Sequence, residues 1–337
     1  MRKIVILFSF VFLVSAVNAQ QYTIVGFYNL ENLFDTEDHP TKRDEDFTPD
    51  GKNANTEEVF RKKLKNLAHV ISLMGIDKNS DGPALLGVAE VENRFVLQEL
   101  VKQKKIASRN YRIVHFESPD LRGIDVGLLY NPKYFRVLAA ESLPVSLARL
   151  GDTYPTRDVL WVKGKLRGET VHVFVNHWPS RRGGEAATRE KRKEAARVCK
   201  RMIDSLKQTD PNIKAIVMGD LNDDPINASV TEVLQATGKI KKLSPRKMYN
   251  PWMKFFKQGI GTIAWQDAWG LFDQIILSPN WVDKKEKGLK YSHAEVFNRS
   301  FLIQKTGKYK GYPMRSFTWG KWNDGYSDHF PTMIYLR

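Results

Sequence analysis

The chain has 337 residues, of which 42% are hydrophobic and 11% aromatic. That composition supplies a sizeable core and excludes a disordered chain, and the length suits one large domain or two ordinary ones. A formal charge of +15 favours polyanionic partners, nucleic acid or anionic lipid headgroups, or equally serves solubility; it does not decide fold. The single cysteine, Cys199, excludes an intramolecular disulfide. It shares an apolar stripe with Ala195, Val198, Met202 and Leu206, which reads as a buried thiol.

In chain order, Arg2-Lys3, the apolar run Ile4–Val17 and the small-residue exit Val17-Asn18-Ala19 have the parts of a cleavable secretory signal. The run is short of the roughly 20 residues that span a membrane. Residues 1–19 are therefore expected to be removed, leaving 20–337 as a single exported domain, periplasmic or extracellular, with no transmembrane segment and a charge of +13. Tyr22–Tyr28 reads as a first strand, followed by a polar loop whose acids fit no calcium-loop spacing. Asn55 with Glu58 makes a capping-box-like start for a helix carrying Phe60, Leu64, Leu67, Ile71 and Met74, which Gly75 stops. Ala84–Ala89 is a buried strand delivering Glu90, and a second helix runs to about Gln103. Strands follow at Tyr111–Phe116, Gly123–Tyr130, Tyr134–Ala139, Val159–Leu166 and Thr170–Asn176, the last ending at His177. Glu185–Leu206 is a basic amphipathic helix whose Arg189, Arg192, Lys193, Lys200 and Arg201 read as a solvated face. Later strands are expected at Leu271–Leu277, Tyr291–Phe297 and Thr332–Leu336. Strands and helices alternate without a linker or repeat, in two halves that divide near Tyr130, each able to supply one sheet.

The apolar run Ala215-Ile216-Val217 leads into Met218-Gly-Asp220-Leu-Asn222-Asp-Asp-Pro225. Residues two apart in extended chain point the same way, so a carboxylate and an amide meet at a sheet rim. Other strand ends carry Asn29/Glu31, Glu90, His177 and Asp273, and Ser327-Asp328-His329 precedes the last strand. Asn29-Leu-Glu31, Ala89-Glu90-Val91, Asn176-His177, Gly219-Asp220-Leu-Asn222, Phe272-Asp273-Gln-Ile275 and Ser327-Asp328-His329 together resemble the ordered motifs of the endonuclease/exonuclease/phosphatase superfamily. That group includes pancreatic-type deoxyribonucleases, apurinic endonucleases, inositol polyphosphate phosphatases and bacterial sphingomyelinases. The resemblance runs from Tyr22 to the C-terminus, and Arg122–Gly127 and Asn176–Gly184 are most similar to secreted bacterial members.

The resemblance implies an α/β fold, a four-layer α/β sandwich of two packed mixed sheets flanked by helices. It also implies a divalent-metal phosphoesterase, usually with Mg2+, with Mn2+ or Ca2+ as alternatives. By position, Glu90 is then the principal metal ligand, with Glu31 close by and Asp328 approaching the metal. Asn29 and Asn222 orient phosphate or water, Asp220 positions or deprotonates the attacking water, and His177 and His329 flank the phosphate. Asp273 holds His329 in its tautomer.

These residue types suit the chemistry, because hydrolysis of a phosphate ester builds negative charge that a carboxylate-held hard cation and an imidazole stabilise. Each also has a plainer reading. Glu90 and Glu92 suit a helix start, with Glu92 the better match to that role. His177 reads alternatively as a satisfied strand-end histidine, as His115 and His172 do, Asp328 as a turn residue, and Asp273 as a surface ion-pair partner. Arg122 and Arg157 suit phosphate or a sheet-edge salt bridge equally. Arg181 and Arg182 form a basic loop beside His177, and Arg246 and Lys247 are expected to border the site as well. Trp252, Trp265 and Trp269 either stack on bases or pack under a loop. The expectation is an exported metal-dependent phosphodiesterase, a nuclease first, with a sugar- or lipid-phosphate esterase or a catalytically silent binding protein as alternatives. The partner is a nucleic acid or another phosphate ester, and no stable protein partner is implied.

Overall fold

The computed structural model describes residues 22–285 and 287–337, so the expected leader, Met1–Ala19, lies outside the described residues. The early strands are β1 (Thr23–Leu33), β2 (Pro83–Val91), β3 (Arg112–His115), β4 (Asp125–Tyr130) and β5 (Phe135–Leu143). Then come β6 (Val159–Leu166), β7 (Glu169–His177), β8 (Lys214–Asp220), β9 (Ala236–Thr237) and β10 (Met248–Tyr249). A small hairpin, β11 (Ile263–Trp265) and β12 (Ala268–Gly270), precedes β13 (Asp273–Leu277) and β14 (Tyr291–Val296). A second hairpin, β15 (Phe317–Thr318) and β16 (Lys321–Trp322), precedes the last strand, β17 (Thr332–Leu336). The helices are α1 (Glu57–Leu73), α2 (Arg94–Val101), α3 (Glu185–Thr209) and α4 (Trp252–Lys257).

Two large sheets result, ordered β14-β17-β1-β2-β4-β3 and β5-β6-β7-β8-β13-β10-β9. Strand periodicity sorts the residues of the second sheet between two cores. Val173, Val175, Ile216, Met218 and Ile275 join the core shared with the first sheet and with α1 and α2. Their alternates Phe174, Ala215, Val217 and Ile276 pack with Ala195, Ala196, Cys199 and Ile203 of α3. The sheets meet closely: a Cβ at Gly87 of β2 would fall 2.5 Å from the Met218 sulfur of β8, which is why glycine stands there. The layers are therefore helix, sheet, sheet, helix, the four-layer sandwich expected from the resemblance.

The strands at Val159–Leu166 and Thr332–Leu336 lie where the sequence reading expects them, whereas β1 runs five residues beyond the expected end. Its extension is a bulged stretch against β2 between Asn29 and Leu33, which no alternating pattern marks. The two halves of the chain do not each supply a sheet. Strand β17 returns to pair antiparallel with β1, Thr23 to Leu336 and Phe27 to Thr332, and β14 joins its far side. The cap of α1 is Thr56, whose hydroxyl accepts from Val59 N, while Asn55 donates to the carbonyls of Phe34 and Asp35. Asn93 caps α2, so Glu92 is left to accept from Asp35 N. Arg192 is not on the solvated face of α3: it is fully buried, with Nε 2.6 Å from Asp223 Oδ1, because the loop after Asn222 folds beneath that helix.

Candidate active site

Register assembles the site. Strands β7 and β8 run parallel with His177 opposite Asp220, and β13 runs antiparallel to β8 with Asp273 opposite Asp220. His177, Asp220 and Asp273 thus form one row across three strand ends. On the facing sheet β1 and β2 are parallel with Asn29 opposite Ala89, which leaves Glu90 one residue further on. Because β17 pairs back on β1, the segment before it reaches the same rim. Ser327 Oγ donates to Asn29 O at 2.7 Å and accepts from His329 N at 3.1 Å.

The rim is built from backbone that strands ordinarily avoid. Glu31, Asn32, Glu90 and Asn222 have φ of 48°, 51°, 58° and 47°, in the left-handed region that costs a non-glycine residue about 1–2 kcal/mol. This conformation aims consecutive side chains where a flat strand would separate them. The Asn29 amide donates to Glu90 Oε1 at 3.2 Å and to Asp220 Oδ2 at 3.1 Å, bridging carboxylates of the two sheets. Glu90 Oε2 accepts from Asn32 N, and Asp220 Oδ1 accepts from Asn222 N, both at 2.9 Å.

The two histidines sit in opposite electrostatic settings. His329 is buried, which alone would discharge it. Asp273, with Oδ2 2.7 Å from Nδ1, and Asp220 overcome that burial and hold its pKa well above the ordinary value. Its Nε2 lies 3.8 Å from Asp220 Oδ2 and 3.9 Å from Asp328 Oδ1. For His177, burial, Arg157 and Arg122 all push the pKa well down, so this imidazole is neutral. Its Nε2 is 3.6 Å from Asp220 Oδ2 and 3.8 Å from Glu90 Oε1, whereas Nδ1 has no partner among the described residues. Carboxylates facing Nε2 assign the single proton to that nitrogen. Burial, opposed by His329 and reinforced by Asp273, raises Asp220 to about 7.

Glu31 and Asp328 lie beside this row. Glu31 Oε2 accepts from Ser316 N at 2.6 Å, and burial followed by the Asp328 charge raises its pKa to about 8. Lys63 of α1 donates to the Glu31 and Asn32 carbonyls and is itself lowered to about 8 by burial. Asp328 is paired with Arg315 Nη2 at 2.9 Å. Neither Lys63, Ser316 nor Arg315 was marked by a motif; their roles depend on packing between distant segments.

Does this donor set suit a divalent cation? One ligand atom each from Glu90, His177 and Asp220 lie within 4.8 Å of one another, as do those of Asp220, Asp273 and His329. Crowded carboxylates with raised pKa values are what a bound cation relieves, and a carboxylate-rich rim favours a hard ion. Glu90 beside Asp220 supplies such a carboxylate-rich rim, whereas Glu31 and Asp328, expected as further ligands, are engaged by Ser316 N and Arg315.

The arginines divide into two kinds. Arg157 is buried and spends its guanidinium inside: Nε to His177 O, Nη2 to Trp178 O and Nη1 to Asp120 Oδ2 at 3.0 Å. Arg181 likewise turns inward, to Asn222 O, Asp224 and Asn227, over the Phe272 ring. Arg122 and Arg182 are exposed and line a cleft of about 360 Å³ with Arg43 and Lys191. Arg246 and Lys247 lie at the other end of the second sheet, since neighbouring Tyr249 pairs with Leu277, not with Asp273. Asn222 donates its amide to Trp178 O rather than into the rim. Trp252 is buried, whereas Trp265 and Trp269 are exposed.

No curated protein matches the chain. Among solved structures, it is similar to an endonuclease/exonuclease/phosphatase family protein from Bacteroides thetaiotaomicron, with TM-score 0.58, 15% identity, and 94% of this chain and 97% of that chain covered. It is also similar to a B. thetaiotaomicron mannosyl-6-phosphatase, with TM-score 0.57, 14% identity and 94% and 99% coverage. A third similar structure is TDP2 from D. rerio complexed with a single-strand DNA product, with TM-score 0.55, 15% identity and 94% and 99% coverage. These likenesses show the fold. The model of the Endonuclease/Exonuclease/phosphatase family matches residues 24–337. The chain belongs to that family of divalent-metal-dependent phosphoesterases.

Proposed function

We propose that the chain is an exported, magnesium-dependent phosphodiesterase that cleaves nucleic acid by water attack. The observation that carries the hydrolytic part is the row His177–Asp220–Asp273 with His329 closing it from the facing sheet. A divalent cation bound at Glu90 supplies positive charge for the phosphoryl oxygens as negative charge builds there. Asp220, raised toward neutrality, accepts a proton from water as the water oxygen bonds to phosphorus. The ester P–O bond breaks, and the leaving oxygen takes its proton from the His329 Nε2–H. Asp273 keeps that imidazole charged and oriented, and neutral His177 donates from Nε2 to a non-bridging oxygen.

Nucleic acid is favoured by the cleft that holds Arg43, Arg122, Arg182 and Lys191, next to residues 179 and 180 that follow His177 and Trp178. The cleft also holds Asp120 and Asp152, paired with Arg122 at 3.7 Å and Lys191 at 2.5 Å, so cations outnumber acids there. A cluster of cations suits a polyanion, and a monoester needs no such cluster. A fold similar to that of a protein captured with single-strand DNA product agrees with this reading. Likeness to a mannosyl-6-phosphatase favours a second reading, hydrolysis of a sugar phosphate.

The test is a substrate panel of single-stranded and duplex oligonucleotides, sphingomyelin, a hexose 6-phosphate and a generic phosphodiester, with Mg2+ and with chelator. Cleavage of oligonucleotides that chelator abolishes and Mg2+ restores is expected. Turnover of the hexose phosphate alone would establish the second reading. Export predicts a chain starting at Gln20 by mass spectrometry of protein from its native host, and a retained Met1–Ala19 would contradict it.

A further inference from the structure

A second cleft, of about 430 Å³, opens at Asp328 and is walled by Tyr309, Tyr312, Met314, Arg315 and Trp319. Its aromatic wall is continuous with the catalytic rim. Phe330, next to His329, stacks on Trp269 with ring centres 6.0 Å apart and planes at 15°. Trp269 meets Tyr312 at 6.1 Å, and Tyr312 meets Tyr309 at 5.7 Å. Arg315, paired with Asp328, lies 6.0 Å from the Tyr309 centre, and Lys308 lies 5.8 Å from it.

Two hairpin tips stand beside these rings, and in each turn one residue takes a conformation it disfavours. In the turn between β15 and β16, Trp319 has φ of 53° and Gly320 has φ of 78°. Such two-residue turns select Asn, Asp or Gly at both positions. Trp319 instead places a large aromatic there, 85% exposed, so it accepts backbone strain of about 1–3 kcal/mol without burying its ring. Gln266 and Asp267, with φ of 48° and 62°, form the corresponding turn beside Trp265, which is 68% exposed. The Tyr312 hydroxyl ties that second tip down, accepting from Asp267 N and donating to Asp267 Oδ1 at 2.7 Å. A local choice that opposes turn chemistry and contributes no packing points to a binding role.

We propose that this cleft receives an unstacked nucleobase from a nucleotide adjoining the scissile phosphate, with Trp319 as one face of the stack. The inference rests on the nucleic-acid reading above and deepens it. The Trp269–Tyr312 and Tyr312–Tyr309 planes are tilted by 56° and 50°, so single ring faces rather than one flat wall are offered. An exposed aromatic face with cations nearby recognises the π-face common to every base, so sequence selectivity is weak. Bases inside a duplex are already stacked and paired, and freeing one costs a few kcal/mol. Single strands and frayed ends are therefore preferred to duplex interiors.

The test uses Trp319→Asn, because asparagine tolerates the left-handed turn and removes the ring. The full chain is assayed on a single-stranded oligonucleotide, on the same strand carrying an abasic residue at successive positions near the cut, and on a blunt duplex. Wild type should prefer the single strand. Trp319→Asn should keep or raise Tm and lower kcat/KM on the intact strand by about tenfold, within the range of one lost base stack. It should change turnover little where the stacked base is already missing, and Trp319→Phe should recover most of the loss. Unchanged kinetics of Trp319→Asn on every substrate, or an equal loss on intact and abasic strands, would overturn the inference while leaving nuclease activity standing. Trp319-dependent sedimentation with phosphatidylcholine vesicles, together with unaltered oligonucleotide kinetics, would overturn it in favour of a lipid surface. Failure of wild type to cleave any oligonucleotide would instead remove the underlying nucleic-acid reading.

Discussion

Two residues carry opposite halves of the electrostatics, and each has a direct test. Glu90, the penultimate residue of β2, accepts from Asn29 and Asn32 of β1, and its Oε1 lies 3.8 Å from His177 Nε2 of the facing sheet. Glu90→Gln keeps its shape and removes the charge a hard cation needs. The loss of Mg2+ affinity should exceed the roughly 10- to 100-fold that follows removal of a ligand's supporting hydrogen bond. Calorimetric titration with Mg2+ measures this directly, and wild-type affinity in the variant would remove Glu90 from the metal site. Asp273 acts through His329, so its variant is read by pH. Asp273 and Asp220 raise the His329 pKa against burial, and the proposed chemistry needs the imidazolium. Activity therefore falls as pH rises through that pKa. Asp273→Asn should move the alkaline limb of kcat to lower pH and reduce the plateau by about 10². An alkaline limb that stays in place would separate His329 from proton transfer. The sequence made these residues legible because each ends an apolar run or sits in a short ordered motif. It could not reveal Lys63, Arg315 or Ser316, which reach the rim from segments 32, 284 and 285 positions away from Glu31. Nor could it tell inward arginines from outward ones, since Arg157 and Arg122 differ only in what folds over them.

The element most exposed to a single change is the end of β7. Arg157 holds the His177 and Trp178 carbonyls and pairs with Asp120, with side chains only 6% and 2% exposed. Removing one partner of such a pair leaves the other charge buried, at a cost of about 3–5 kcal/mol. Arg157→Ala should therefore lower stability to urea by that order, and Asp120→Ala should do the same. A variant of unchanged stability that raises KM only would assign Arg157 to substrate instead. At this scale the sequence was legible wherever the apolar pattern was strong: β6 and β8 bury alternate faces in different cores, β17 is apolar on both faces within one core, and α3 shows its apolar stripe. The bulged end of β1 was hidden, because Glu31 and Asn32 take left-handed backbone that no periodicity announces. The hairpins with Trp265 and Trp319 at or beside their tips were hidden for the complementary reason. Each turn has a first residue, Gln266 or Trp319, that turn chemistry does not favour.

Across the whole molecule, charge placement decides whether the formal excess of +15 serves binding or solubility. The fold removes several basic residues from consideration. Arg157, Arg181 and Arg192 have internal partners, and Arg246 and Lys247 lie at the far end of the second sheet. What remains near His177 is the cleft with Arg43, Arg122, Arg182 and Lys191, where Arg122 and Lys191 pair with Asp120 and Asp152 of the cleft wall. If these cations meet backbone phosphates, binding releases counterions and affinity falls with salt. With ~4 contacts to a single strand, at about −0.7 per contact, log kcat/KM should fall against log salt with slope roughly −3. A small phosphodiester touches too few of these groups to show more than a shallow dependence. Arg122→Ala combined with Arg182→Ala should make the oligonucleotide slope shallower by about 1.4 and leave the small substrate nearly unchanged. The pair Arg246→Ala and Lys247→Ala, equal in charge removed, should leave both slopes as they were. That control separates a local track from the overall field, because a general electrostatic effect responds to both pairs alike. Measured at fixed Mg2+, equal shallow slopes for both substrates would assign the positive charge to solubility and leave the sugar-phosphate reading in its place.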